Sequence, residues 1–159
     1  MQEIPTPSLV LLIGAAGSGK STFAAHHFRP TEIVSSDACR AMVADDETDQ
    51  SATRDAFAIL RQIARRRLAR GLLTVIDATN IHPAARRDLR RLAPDVPAVA
   101  IVLDVPEAEC LARNAARPHR QVDPAVVRDQ IAQLHHTLAR LPEEGFHAVL
   151  YVQDNEGTP

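Results

Sequence analysis

A doubly wound α/β domain, a parallel sheet of about five strands with helices on both faces, is the fold class the sequence predicts. Three observations predict it. Short, almost continuously apolar runs recur as "LVLLIG" (9–14), "EIVSS" (32–36), "LTVID" (73–77), "VAIVLDV" (99–105) and "AVLYV" (148–152). Runs apolar on both faces suit strands buried on both sides, the condition of a parallel sheet. Helical periodicity alternates with them, and right-handed strand–helix–strand crossovers then build an open sheet with ligands at the strands' carboxyl ends.

Each element has its own signal. The first strand runs into "GAAGSGKS", after which "STFAAHH" opens a helix. The second ends in two serines and Asp37, a good N-cap for a short helix in "ACRAMV". Between residues 51 and 70, Phe57, Leu60, Ala64 and Leu68 recur at helical spacing with arginines opposite. The third strand ends at Asp77. Arginines 86, 87, 90 and 91 follow as a basic helix face, read as solvated in preference to a track for an RNA strand. Asp104 reads as a turn acid after the fourth strand. Pro124 starts a helix striped by Val127, Ile131, Leu134 and Leu138. The expected domain spans 1–152, and the polar stretch 153–159 reads as a flexible tail or the start of a linker.

Composition narrows the function classes. At 159 residues the chain is one domain's worth, and its longest apolar run is too short to span a membrane, so a cytoplasmic location is expected. A net charge of −2 argues against coating long stretches of nucleic acid, though not against gripping a strand end. With aromatics at 3%, base stacking is not the expected main grip, and aliphatic packing would have to replace it. Cys39 and Cys110 lie far apart without metal-site spacing and read as reduced, part-buried side chains. The histidine pairs 26–27 and 135–136 also lack ligand spacing and read as structural. Of the 18 Lys and Arg residues only Lys20 is lysine, which singles out a position needing a compact, mobile ammonium.

That position lies in Gly14, Ala15, Ala16, Gly17, Ser18, Gly19, Lys20 and Ser21, a match to G-x-x-x-x-G-K-[ST] between a strand and a helix. Glycines let successive N–H groups face phosphates at a helix N-terminus; Thr22 continues that terminus. Lys20 reaches the β- and γ-phosphates, and the Ser21 hydroxyl is placed for Mg²⁺. The fold thus becomes a P-loop NTPase-type doubly wound sheet binding ATP or another nucleoside triphosphate. With no second lysine there is no N-K-x-D base-reading motif, and no LSGGQ is present, so a phosphotransferase is favoured over a GTPase or transporter ATPase.

Asp37 shares the carboxyl edge of the sheet with this loop, and Arg40 follows one turn later. They suit a carboxylate for a hydroxyl proton and a grip on an anionic acceptor, or else a helix cap and a solvated arginine. Arg113, Arg117 and Arg120 are spaced i, i+4, i+7, so a helix would bring them to one side, with Pro118 ending it in a loop able to close. The alternative is a solvated arginine face. Asp77 stands where an acid would hold Mg²⁺ through water, or would orient Ser21 or the acceptor loop. Asn80 is a turn residue or a substrate contact.

Taken in order, "GAAGSGKSTFA", "SSDACR", "DDETDQ", "VIDATN" and "RNAARPHRQV" closely resemble the 5′-kinase domain of bacterial polynucleotide kinase–phosphatase, an RNA end-healing enzyme, over essentially the whole chain. The resemblance implies an ATP-dependent 5′-hydroxyl kinase acting on the 5′-OH end of RNA or DNA, in a phosphatase- and ligase-bearing full-length protein. It implies that Lys20 and Ser21 serve the phosphates and Mg²⁺, and that Asp37 is the general base. It further implies that Arg40 contacts the phosphate 3′ of the terminal nucleoside, and that Arg113 and Arg120 are lid arginines. No metallophosphoesterase or ligase lysine motif occurs within these 159 residues. The alternatives are a small-molecule kinase for a sugar acid, antibiotic or similar acceptor, and an ATP-binding module without catalysis.

Overall fold

The structure, a computed structural model, describes residues 3–119 and 121–152. Five strands, β1 (Leu9–Ile13), β2 (Ile33–Ser35), β3 (Thr74–Asp77), β4 (Ala98–Val102) and β5 (Ala148–Tyr151), form one sheet in the order β2-β3-β1-β4-β5. Every pairing is parallel, with Leu9 opposite Thr74 on one side and Ala98 on the other. The three central strands are buried at every position, as their continuous apolar character requires.

Among the described residues six α-helices accompany the strands: α1 (Lys20–His27), α2 (Ser36–Ala44), α3 (Thr53–Ala69), α4 (Pro83–Arg90), α5 (Glu107–Ala115) and α6 (Pro124–Leu138). The two faces of β1 are covered unequally. Leu9 and Leu11 pack with Leu60, Ala64 and Leu68 of α3 and Leu89 of α4, while Ile13 meets Leu134 of α6. Val10 and Leu12 pack with Phe23 and Ala24 of the shorter α1. From β1 the chain crosses to β2 and β3 on one side and then to β4 and β5 on the other. This reversal opens a crevice at the carboxyl ends, where Ile13, Ser35 and Asp77 lie.

The arginine face predicted after the third strand is only half solvated. Arg86 is fully buried: it donates to both carboxylate oxygens of Glu144, to the Asn80 and Ile81 carbonyls, and to Thr137 Oγ1. Arg90 lies over the Phe146 ring, 4.7 Å from its centroid, and donates to the Glu144 carbonyl. Arg87 and Arg91 remain exposed. The counter-charge comes from a segment 58 residues away, so neighbouring residues gave no sign of it.

Cys39 and Cys110 are buried and not joined. Asp104 pairs with His135 at the surface, 3.0 Å apart. Among the described residues no helix is long and apolar enough to cross a membrane.

Candidate active site

Between β1 and α1, residues 14–19 turn back on themselves. Gly17 and Gly19 hold φ of +83° and +89°, where a side chain is strained. Gly17 is also closely packed, since a Cβ there would stand 2.4 Å from the Cys110 carbonyl oxygen on α5. α1 starts without a side-chain cap. The amide hydrogens of Gly17, Gly19, Lys20, Ser21 and Thr22 have no acceptor among the described residues, the arrangement that holds phosphate oxygens at a helix N-terminus. The turn is braced from β3, where Gly14 N–H donates to the Thr79 carbonyl at 3.1 Å. Buried Asn80, at φ +49°, donates to the Leu12 carbonyl at 2.8 Å, so it is a turn residue turned away from the crevice.

Lys20 donates to the Ala15 carbonyl at 2.9 Å. Burial, reinforced by the Arg117 charge and opposed by Asp77 and Asp37, pulls its ammonium down from 10.5 to about 8. Between about pH 8 and 10.5 the unfolded chain therefore holds a proton that the folded one has released, and stability rises with pH through this window. Below it the desolvation cost of the part-buried ammonium is fully present. Lys20→Met is thus expected to stabilise the nucleotide-free protein at pH 7 by about 1–2 kcal/mol, a few degrees in Tm, after allowing for the lost bond to Ala15. It is also expected to abolish most of the Tm rise produced by nucleotide. Thermal unfolding with and without ATP checks both, and a destabilised variant would contradict this account of Lys20.

Ser21 Oγ donates to Asp77 Oδ2 at 2.7 Å, and Asp77 is buried. Asp77 therefore orients Ser21, and the pair is compatible with a water-mediated cation beside phosphates. At the carboxyl end of β2, the cap of α2 is Ser35, whose Oγ accepts the Ala38 N–H at 3.2 Å. This corrects the expectation that Asp37 caps the helix: Asp37 lies in the first turn, and its carboxylate Oδ1 accepts from Arg40 Nη1 at 2.7 Å. Arg40 also donates from Nε to Thr53 Oγ1 at 3.2 Å and stands over Phe57 at 6.0 Å.

Arg113 and Arg117, two of the three arginines expected on one helix face, do not share a helix. α5 ends at Ala115, before Pro118 and the conformational restriction it places on its predecessor. Arg113 remains on the helix, where it donates to the Ser18 carbonyl at 3.3 Å and pairs with Glu109, and it does not line the crevice. Arg117 lies past the helix end and lines the crevice. Arg120 lies outside the described residues. Asn114 was not anticipated: buried, it both accepts from the Val122 N–H at 2.9 Å and donates to the Val122 carbonyl, tying down the segment that carries Arg117.

A crevice of about 570 Å³ joins these parts. Ala16, Lys20, Ser21, Asp37, Arg40, Asp77 and Arg117 line it, with Glu47, Gln50, Phe57, Val126 and Gln130 around them. Thr22 is exposed on α1 outside it, and of residues 14–19 only Ala16 enters it.

A phosphate cradle at the switch point of a parallel sheet, facing an acid on the next strand's end, defines a P-loop domain of the kinase type. The chain belongs to the AAA domain family (AAA_33), whose profile matches residues 9–141. Among solved structures, it is similar to a chain of a Pnkp1/Rnl/Hen1 RNA repair complex at 23% identity, with a TM-score of 0.74 over 87% of this chain. A putative kinase from Chloroflexus aurantiacus matches at 20% identity and TM-score 0.65, covering 94% of this chain and 86% of its own. A gluconokinase from Sinorhizobium meliloti matches at 19% and 0.56, covering 94% and 83%. The chain spans 47% of the length of that repair-complex chain. No curated protein sequence matches it significantly.

Proposed function

We propose that this domain is an ATP-dependent polynucleotide 5′-hydroxyl kinase acting on the ends of RNA or DNA. The observation that carries the reading is Asp37, with Arg40 beside it, in the same crevice as Lys20, Ser21 and Asp77. The amide hydrogens of residues 17 and 19–22, with Lys20, hold the triphosphate. A Mg²⁺ ion fits Ser21 Oγ and, through water, Asp77, and would supply charge neutralisation between the phosphates. Asp37 takes the proton of the acceptor hydroxyl as its oxygen bonds to the γ-phosphorus and the bond to the β–γ bridging oxygen breaks, releasing ADP. Arg40, held by Thr53, keeps part of its guanidinium for the phosphate 3′ of the terminal nucleoside. Arg117, which lines the crevice, offsets charge on the transferred group, whereas Arg113 is held by the Ser18 carbonyl and Glu109 and would have to leave both to do so.

Phe57 and exposed Val126, both lining the crevice, give it apolar surface, which suits a terminal base gripped without extensive aromatic stacking. The likeness to the RNA repair chain supports a role in end healing, with phosphatase and ligase functions elsewhere in a longer protein or complex. A small-molecule acceptor is the second reading, favoured by neighbours such as the gluconokinase that match nearly end to end. Labelled phosphate transfer from ATP decides between them. Transfer to a 5′-OH oligonucleotide, and not to gluconate or shikimate, is expected with Mg²⁺ present. Transfer to a small acceptor alone would overturn the polynucleotide reading.

A further inference from the structure

Gln130 is the one α6 side chain bonded to the phosphate loop among the described residues: its Oε1 accepts the Ala16 N–H at 2.9 Å, across 114 positions of sequence. α6 presents two stripes. Val127 and Ile131 are buried against Ala15 and Ala16, while Asp123, Val126 and Gln130, spaced i, i+3, i+7, line the crevice. The helix is therefore held firmly to the loop by apolar packing, and Gln130 projects from the edge of that contact.

The Ala16 bond also fixes which way the carboxamide is turned. Ala16 contributes a donor, so only the Gln130 oxygen can meet it, and the amino group is left as what Gln130 offers the crevice. That group makes no hydrogen bond among the described residues. Besides that of Ala15, the loop amide hydrogens without an acceptor among the described residues are those of Gly17 and of residues 19–22, toward α1, and this group suits the phosphate nearer the helix. Of residues 14–19, Ala16 is the one that lines the crevice shared with Asp37 and Gln130.

Resting on the phosphotransferase reading above, we propose that Gln130 is a further substrate-binding residue that donates from its amide nitrogen to an oxygen of the γ-phosphoryl group. Because it is neutral and locked by Ala16, it marks the transferred group from a fixed position. It thereby distinguishes a triphosphate from a diphosphate.

Calorimetric binding of ADP and of a non-hydrolysable β,γ-imido triphosphate, both with Mg²⁺ and without any acceptor, tests this. In Gln130→Met the triphosphate is expected to weaken about 10-fold and ADP less than about 3-fold. Gln130→Glu keeps an acceptor for Ala16 but replaces the donor with a negative charge. It is expected to weaken the triphosphate by about 100-fold, with a clearly smaller loss for ADP. Equal losses for both nucleotides in Gln130→Met, with near-native binding in Gln130→Glu, would mean that Gln130 only anchors the loop, and would overturn the proposal. Wild-type protein that binds neither nucleotide would instead overturn the phosphotransferase reading itself. Thermal unfolding of each variant confirms that the fold is retained.

Discussion

Replacing Asp37 by asparagine is expected to reduce phosphoryl transfer about 10³-fold while leaving nucleotide affinity within about 3-fold of wild type. The asparagine oxygen still accepts from Arg40 Nη1, so the 2.7 Å contact and the helix turn beneath it survive. What disappears is a base for the hydroxyl proton. Single-turnover transfer to an acceptor, together with direct nucleotide binding, separates the two quantities. Transfer retained within about 10-fold would remove Asp37 from the chemistry and return it to the role of partner for Arg40.

Arg86→Met is expected to destabilise the fold by about 3–5 kcal/mol, the loss associated with stripping one partner from a buried ion pair. Arg86 has no exposed surface, and its removal leaves Glu144, two backbone carbonyls and Thr137 Oγ1 without their donor. Most of the effect is the unpaired Glu144 carboxylate, so Arg86→Met combined with Glu144→Met is expected to recover about half of it. Urea unfolding of both variants measures this. A single variant that loses less than about 1 kcal/mol would show that water reaches Glu144 readily. The consequence extends to the site, because the carbonyls that Arg86 holds belong to Asn80 and Ile81. Asn80 in turn secures Leu12, just before the phosphate loop. A modest weakening of nucleotide binding is expected to accompany the loss of stability.

These two residues mark the boundary of what sequence reading reached. Asp37 was a candidate because an acid following an apolar strand, in a chain with a phosphate loop, has a definite place at the sheet's carboxyl edge. Its role as helix cap was misassigned to it, since Ser35 and Asp37 are both competent caps and only the register at which α2 begins chooses between them. The arginines expected to form a lid show the same division. Pro118 correctly signalled the helix end, yet the helix stops early enough to part Arg117 from Arg113.

The strands, their parallel arrangement and the phosphate loop were determined by the sequence alone. A strand covered on both faces must be apolar at every position, and a loop curling its amides toward an anion needs glycine at particular places; both demands fall on adjacent residues. The tertiary structure alone decided that Arg86 is internal, that Asn114 ties down Val122, and that Gln130 holds Ala16. A polar side chain's role depends on which distant segment supplies its partner. Backbone preference is local, whereas pairing across a core is settled only when the whole sheet is assembled.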